Sequence, residues 1–350
     1  MKRNLFLLIL LAIVGSAAII LWKQKTRKEG SVGDNYELFT VSDTASVGKL
    51  FLADRQGNEA LITRSGKYTW LYQNRKTGKT YPANPEVLNL LLKTICDIRT
   101  RMRVPLSAEK TVINELSTNQ VKVEIYDRSS NKIKAYYMGE LAFNETGSNA
   151  IMEDSNVPYI VFEQAFVGDL QPRYTALERA WRDLAAFRYD PALVQNVNIK
   201  YFQAGQEQFS FEIARKGSDY EAKSINAQTK TYPADLLKKD YAAMYLNNYS
   251  SLIAEQRVYN TVERDSLLAN SDLFCEIKIS QVSGQTDDLK LYPIDTRKLA
   301  REDGKISLRE KIARYICIKN DGEDVLILQH DVINKYLVAY PYFFGQALPK

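Results

Sequence analysis

The sequence predicts an α+β protein. It consists of an N-terminal transmembrane helix followed by two tandem, duplicated, antiparallel-rich sheet units, each covered by one main helix. Three observations carry this expectation. The chain opens with an uncharged apolar run, it contains the pentapeptide Lys-Thr-Tyr-Pro-Ala twice, and the segments around the two copies run in parallel.

The opening run comes first. Lys2 and Arg3 precede Asn4 to Trp22, which carry no charge, and Lys23, Lys25, Arg27 and Lys28 follow. As a helix, such a run is just long enough to cross a hydrocarbon core of roughly 30 Å. Leu5, Leu11 and Ile19 would face lipid, and Trp22 would sit at the interface. A cleaved signal peptide is the rival reading, cut near Gly15-Ser16-Ala17. It would leave an apolar start on the mature chain, so the run is read as an uncleaved anchor, residues 1–30 with its flanks. The more basic downstream flank favours a cytoplasmic body, whereas the short basic start resembles an export signal. Export is the expectation adopted, which puts a single-pass protein in the inner membrane with its bulk periplasmic.

Charge excludes one class of partner. Residues 1–28 hold six of the 47 basic residues and none of the 42 acidic ones, so the remainder carries one net negative charge. A nucleic-acid binder needs its basic excess on the folded body. The 22 tyrosines suit strands with one wet face. Cys96, Cys275 and Cys317 form no C-x-x-C, and His330 is the single histidine. No metal site or disulfide framework is expected from these, and no cofactor.

The duplication sets the domains, residues 31–188 and 189–350. Gly57 matches Gly205 at an offset of 148, and Gly66 matches Gly217 at 151, as the pentapeptides do. Each half reads strand, Gly turn, strand, Gly turn, short strand. After the first Tyr-Pro-Ala, Asn84 is a good N-cap and Pro85 a good first helical residue. Leu91, Ile95, Ile98 and Met102 then fall at helical spacing. After the second, Asp235 can cap, and Leu237, Tyr241, Met244 or Tyr245, and Leu252 repeat the pattern. Val121, Val123 and Ile125 alternate with Lys122 and Glu124, as Cys275, Ile277 and Ile279 do with Glu276 and Lys278. Tyr159–Val167 and Val325–Ile333 close the halves with similar apolar runs, and Asp190-Pro191 is a natural joint.

The chemistry-bearing motifs are few. Gly78-Lys79-Thr80 ends like a phosphate loop, but Gln73 stands where the leading glycine belongs. Tyr81-Pro82 then follows, and proline removes a donor where donors are needed. No Gly-x-Ser-x-Gly accompanies His330. The acid pairs Glu153-Asp154, Asp287-Asp288 and Glu302-Asp303 read as solvated loop acids, and Asp321-Gly322-Glu323-Asp324 as a turn. Trp181-Arg182-Asp183, with Arg173 and Tyr174 upstream, reads as an aromatic–arginine cluster. It is the candidate partner or ligand contact between the units. The C-terminal run Tyr336–Phe344 holds five aromatics in nine residues and is expected to pack on the second sheet.

Phe39–Asp54, Tyr81–Ile95, Val121–Asp127 and Trp181–Asp183 together resemble the membrane-anchored envelope proteins that carry the domain of unknown function 4340, in its Bacteroidetes version. The resemblance covers most of the chain and is clearest over residues 39–190. It implies an extracytoplasmic protein and an association with ABC-type or gliding-related membrane systems, and it supplies no catalytic residues. The expected function is therefore a non-enzymatic envelope protein that binds or scaffolds another membrane or envelope protein. Its lipid contact would run through residues 4–22. The alternatives are a small-molecule or glycan module with a site between the units, and a hydrolase using loop carboxylates.

Overall fold

The computed structural model describes residues 35–227, 229, 231–300, 306–322 and 324–346, and the chain divides into two units at Asp183/Leu184. Among the described residues nineteen strands form three antiparallel sheets, and the helices are short.

In the first unit, β1 (Val47–Asp54), β2 (Glu59–Arg64) and β3 (Trp70–Asn74) form consecutive hairpins, and β4 (Thr80–Pro82) adds an edge. Helix α1 (Pro85–Asp97) carries the chain to β5 (Ile98–Arg103), and helix α2 (Leu106–Thr118) carries it back to β6 (Val121–Asp127) beside β1. Three strands follow in order, β7 (Lys132–Leu141), β8 (Ser148–Met152) and β9 (Pro158–Glu163), and β9 ends against β5. Helix α1 starts where the sequence indicates. The Asn84 side chain accepts from the Glu86 N–H at 3.0 Å, and Pro85 needs no donor in the first turn. Leu88, Leu91 and Ile95 are buried on one stripe.

The second unit follows the same plan. A small ribbon of β10 (Ala185–Arg188) and β14 (Ser251–Ile253) stands apart. The eight-stranded sheet uses β11 (Val194–Tyr201), β12 (Phe211–Lys216), β13 (Asp219–Ser224), β15 (Gln256–Arg257), β16 (Cys275–Gln281), β17 (Thr286–Ala300), β18 (Ile306–Lys319) and β19 (Asp324–Gln329). Its order, β13-β12-β11-β16-β17-β18-β19-β15, follows that of the first sheet, β3-β2-β1-β6-β7-β8-β9-β5. Details repeat as well. Both leading strands carry a bulge, at Val47/Lys49 and Val194/Asn196. Gly57 and Gly205 sit in the left-handed region with φ of 80° and 79°, a conformation that costs other residues about 1–2 kcal/mol.

The expected class is corrected on two points. First, this is a predominantly antiparallel β fold, and neither sheet is covered by one main helix. In the first unit the core face is closed by α1 together with Phe39, Leu170, Tyr174 and Trp181. In the second, helix α3 (Lys239–Asn247) buries only Ala242, Tyr245 and Leu246, and Tyr249, Ile333, Tyr336 and Phe343 complete the cover. Second, the helical stripes stop early. Ile98 is already extended (φ −62°, ψ 133°) and opens β5, which also takes Met102. Asp235 lies in a separate 3-10 turn, Tyr241 and Met244 are exposed, and Leu252 belongs to β14. No helix among the described residues is long and apolar enough to cross a membrane. The expected anchor, with Leu5, Leu11, Ile19 and Trp22, lies outside the described residues.

Helix α2 and helix α4 (Thr261–Leu268) take the opposite faces. Val112 and Leu116 of α2 pack with Val104, Ala142 and Ile160, while Leu267 and Leu268 of α4 pack on Val258, Ile316, Val325 and Ile327. Each helix covers only the far end of its sheet, and the near end of that face has no such cluster.

Candidate functional site

The junction residues lie inside the first unit. Trp181 and Tyr174 are wholly buried. The Trp181 indole donates to the Thr175 carbonyl at 2.7 Å, and its own carbonyl accepts from Asn84 N at 2.8 Å. Tyr136 donates its hydroxyl to that of Tyr174 at 3.2 Å, and burial first of all pushes both hydroxyl pKa values up. The Arg173 guanidinium lies 3.9 Å from the Phe166 ring centroid and donates to Thr94 Oγ1 and to Glu163, which also takes Lys93. Arg182 lies 3.8 Å from the Tyr81 ring centroid, and Asp183 N donates to the Pro82 carbonyl at 3.1 Å. Arg173, Tyr174, Trp181, Arg182 and Asp183 therefore hold the first unit closed. With Trp181 and Tyr174 at no exposure and Arg182 at 7%, their contacts are internal ones.

This assigns the repeated pentapeptide a structural part. In the first copy Thr80-Tyr81-Pro82 is the edge strand β4, and Tyr81 lies beneath Arg182. In the second copy the described residues, Thr231 to Ala234, form no strand, yet Tyr232 stacks on Phe344 at 4.6 Å and meets Tyr340 at 5.8 Å. Each tyrosine packs on the segment that closes its own unit.

The remaining candidates also have local partners. His330 opens a one-turn helix and its Nδ1 stands 3.2 Å from the Tyr315 hydroxyl. Glu153 takes Lys122 at 2.9 Å and Lys132 at 2.6 Å, which lower its pKa together with their hydrogen bonds. Asp287 and Asp288 are strand residues of β17, not loop acids. Asp287 is 4% exposed and accepts from Tyr189, Asn320 and Lys319. Burial alone would raise its pKa, but these donors outweigh it and hold the carboxyl below the usual range. Cys275 and Cys317 are free thiols on either side of Leu291, one strand removed from each other, and burial pushes both pKa values up. Glu302, Asp303 and Glu323 lie outside the described residues. Among the described residues no group of three acids, thiols or histidines is placed to hold a metal.

A feature the sequence reading passed over is the near end of the open sheet faces. In the first unit Phe51 faces Leu61 across β1–β2, and Thr63 faces Leu71 across β2–β3. Alternation puts Lys49, Phe51 and Ala53 on one face with Leu61, Leu71, Glu124 and Tyr126. Phe51, Leu61 and Leu71 are half-buried and belong to none of the core clusters. A charged rim frames them. Lys122 bonds Glu124 at 2.7 Å, Tyr126 donates to Glu124 at 2.6 Å, and Lys49 stands 4.1 Å from the Tyr126 ring centroid. Burial works to raise the Glu124 pKa, and these donors bring it below its ordinary value.

By register, the same positions in the second unit are polar. Asn198 stands for Phe51, Glu212 for Leu61, Glu221 for Leu71 and Lys200 for Ala53. Asn196 donates to Glu212 at 2.6 Å, and Lys223 reaches Glu221 at 2.8 Å. The signal for the difference was present in the strands themselves. Leu50-Phe51-Leu52-Ala53 is apolar on both faces, whereas Val197-Asn198-Ile199-Lys200 alternates. Comparison with known proteins assigns neither surface a role: no known family matches the chain, and no curated protein matches it.

Proposed function

We propose that the chain is a non-enzymatic binding protein that docks on another envelope or membrane protein through the open sheet face of its first unit. One observation carries the reading: Phe51, Leu61 and Leu71 form an apolar patch on a face that no helix of the unit packs into a core, while the matching face of the second unit is polar. An apolar centre inside a charged rim is the composition of a protein interface. Lys49, Lys122, Glu59 and Glu124 in the rim call for a partner with mixed charges around an apolar centre. The resemblance noted above puts forward ABC-type or gliding-related complexes as the partner class. In this reading residues 4–22 link the chain to the lipid bilayer of the inner membrane, and the bulk is periplasmic. The acids and the single histidine serve packing and ion pairing.

Site-specific photocrosslinking in native membranes tests this. A photoreactive residue replaces Leu61 in one full-length chain and Glu212 in another. A discrete adduct with one membrane protein is expected from position 61 and none from position 212, and Phe51→Asp should abolish it. No adduct at position 61, or equal labelling at both positions, overturns the proposal.

A further inference from the structure

The bulge at the start of β1 builds a cationic cleft that shares Lys49 with the rim of the docking face. Gly48 is required there, because a Cβ on it would come within 2.6 Å of Arg128 Cα and of the Asp127 carbonyl. Strand β1 thereby lies directly on the turn after β6. The cleft beside this contact measures about 290 Å³ and is lined by Lys49, Thr63, Arg64, Ser65, Arg128 and Ser130, together with Gly48, Gly66 and Asp127.

The hydrogen bonds that hold its two guanidinium groups all go to backbone carbonyls. Arg64 donates Nε to the Val47 carbonyl at 2.9 Å, and its two terminal nitrogens to Lys67 at 3.1 Å and Thr44 at 3.2 Å. It also stacks 4.4 Å from the Trp70 ring centroid. Arg128 donates twice to the Ala45 carbonyl, at 3.1 and 2.8 Å. Of the five N–H groups on each guanidinium, these bonds leave two on Arg64 and three on Arg128. Arg64, Arg128 and Lys49 form no ion pair among the described residues. The one carboxylate in the lining, Asp127, is spent on Ser129 N, Asn131 N and Asn131 Nδ2 at 2.8, 2.8 and 2.9 Å. The two arginines also repel. The Arg64 pKa lies below its ordinary value, through burial first and the Arg128 charge second.

Ordered guanidinium groups with no carboxylate bonded to them suit an oxyanion, since their ordering entropy is already lost and three cations against the single Asp127 carboxylate leave the cleft net positive. We infer that this cleft binds a phosphate-bearing ligand, with Arg64 and Arg128 contacting the phosphoryl oxygens and Lys49 completing the charge. The second unit repeats the arginine without the arrangement. Arg215 faces Tyr220 across β12–β13 and donates to its hydroxyl at 3.2 Å, and no second arginine joins it among the described residues; the neighbouring Lys216 and Lys278 lean on Glu221 and Glu276 at 3.7 and 3.6 Å, so the lysine charges are balanced within their own face.

The phosphoryl group can belong to a soluble ester or to a lipid headgroup. Full-length chain in detergent is titrated with glycerol phosphate, and in parallel reconstituted in phosphatidylcholine vesicles with and without phosphatidic acid. Fluorescence of Trp70, defined against Trp70→Phe, reads both arms. Saturable binding of the soluble ester, weakened about tenfold or more in the Lys49→Ala/Arg128→Ala chain, supports the site and identifies a soluble ligand. A response to phosphatidic acid alone, lost in the same variant, supports it and identifies a headgroup. A charge-matched control, Lys223→Ala/Lys239→Ala, should bind as the parent does. Lys49→Gln leaves the loop contacts of both arginines intact, so it keeps the test valid where the double variant unfolds. No response in either arm, or one unchanged by the cleft variants, overturns the inference.

Discussion

The two units of this chain share a backbone plan and differ in what they place on it. Both sheets run in the same strand order, with the same leading bulge and a left-handed glycine in the same turn. Both bury an aromatic core on one face and close it with late-coming segments. The open faces diverge, with Phe51, Leu61 and Leu71 on one and Asn198, Glu212 and Glu221 on the other. Strand order depends on turn chemistry and on the buried half of the alternation. The outward half is left to vary, so it is there that equivalent units can acquire different tasks.

The comparison can be broken most severely at a core position. Trp181→Ala removes a wholly buried side chain and its hydrogen bond from the closing segment of the first unit. A loss of about 3–5 kcal/mol is expected there. Calorimetry should show the first unit's transition displaced, and a stability change below about 1 kcal/mol would show that the segment does not close the core.

An intermediate effect separates the units by pH. Asp287 has its folded pKa below its unfolded one, so its stabilisation is present above the unfolded carboxylate value of about 4 and fades as pH falls through the folded value. Asp287→Asn should cost the second unit about 1–3 kcal/mol at neutral pH, because Lys319 loses its counter-charge and one of the two accepting oxygens becomes an amide group that only donates. The gap from the parent should close in acid, and chemical denaturation across pH reads it. A gap that persists unchanged below pH of about 3 would contradict the assignment.

The smallest effect tests the likeness itself. Gly57→Ala and Gly205→Ala should each cost about 1 kcal/mol, since nothing crowds either Cβ and only the positive φ resists it. Clearly unequal losses would show that the two turns are not equivalent in energy.

Much of the strand framework was legible. The matched glycines, the alternation around Val123 and Ile277, and the Asn84-Pro85 helix start all report local physics that the chain obeys. What failed was helix extent. Ile95 and Ile98 satisfy a helical stripe, yet Ile98 with Thr100 also satisfies a strand, and pairing with β9 decides for the strand. Helix α2 was not singled out because only Val112 and Leu116 are buried on it, while Leu106 and Ile113 face outward. Tyr241 looked like a core residue because an aromatic at helical spacing usually is one, but it rests on Tyr342 at 5.3 Å on the outside of the fold. The cleft at the bulge was invisible for a different reason. Lys49, Arg64 and Arg128 are far apart in sequence, and only the β1–β2 and β1–β6 registers bring them together.

The two buried thiols of the second sheet have a consequence for how the chain is made. With Leu291 between them, Cys275 and Cys317 stand two strand spacings apart, about 10 Å, beyond the roughly 7 Å that a disulfide spans. Cys96 lies in the other unit, at the end of α1. No native crosslink therefore depends on an oxidant, and the buried pair is shielded from one once folding is complete. The second sheet should assemble alike with glutathione present or with a thiol oxidase present, so the redox potential of its surroundings is not among the conditions that this fold has to meet.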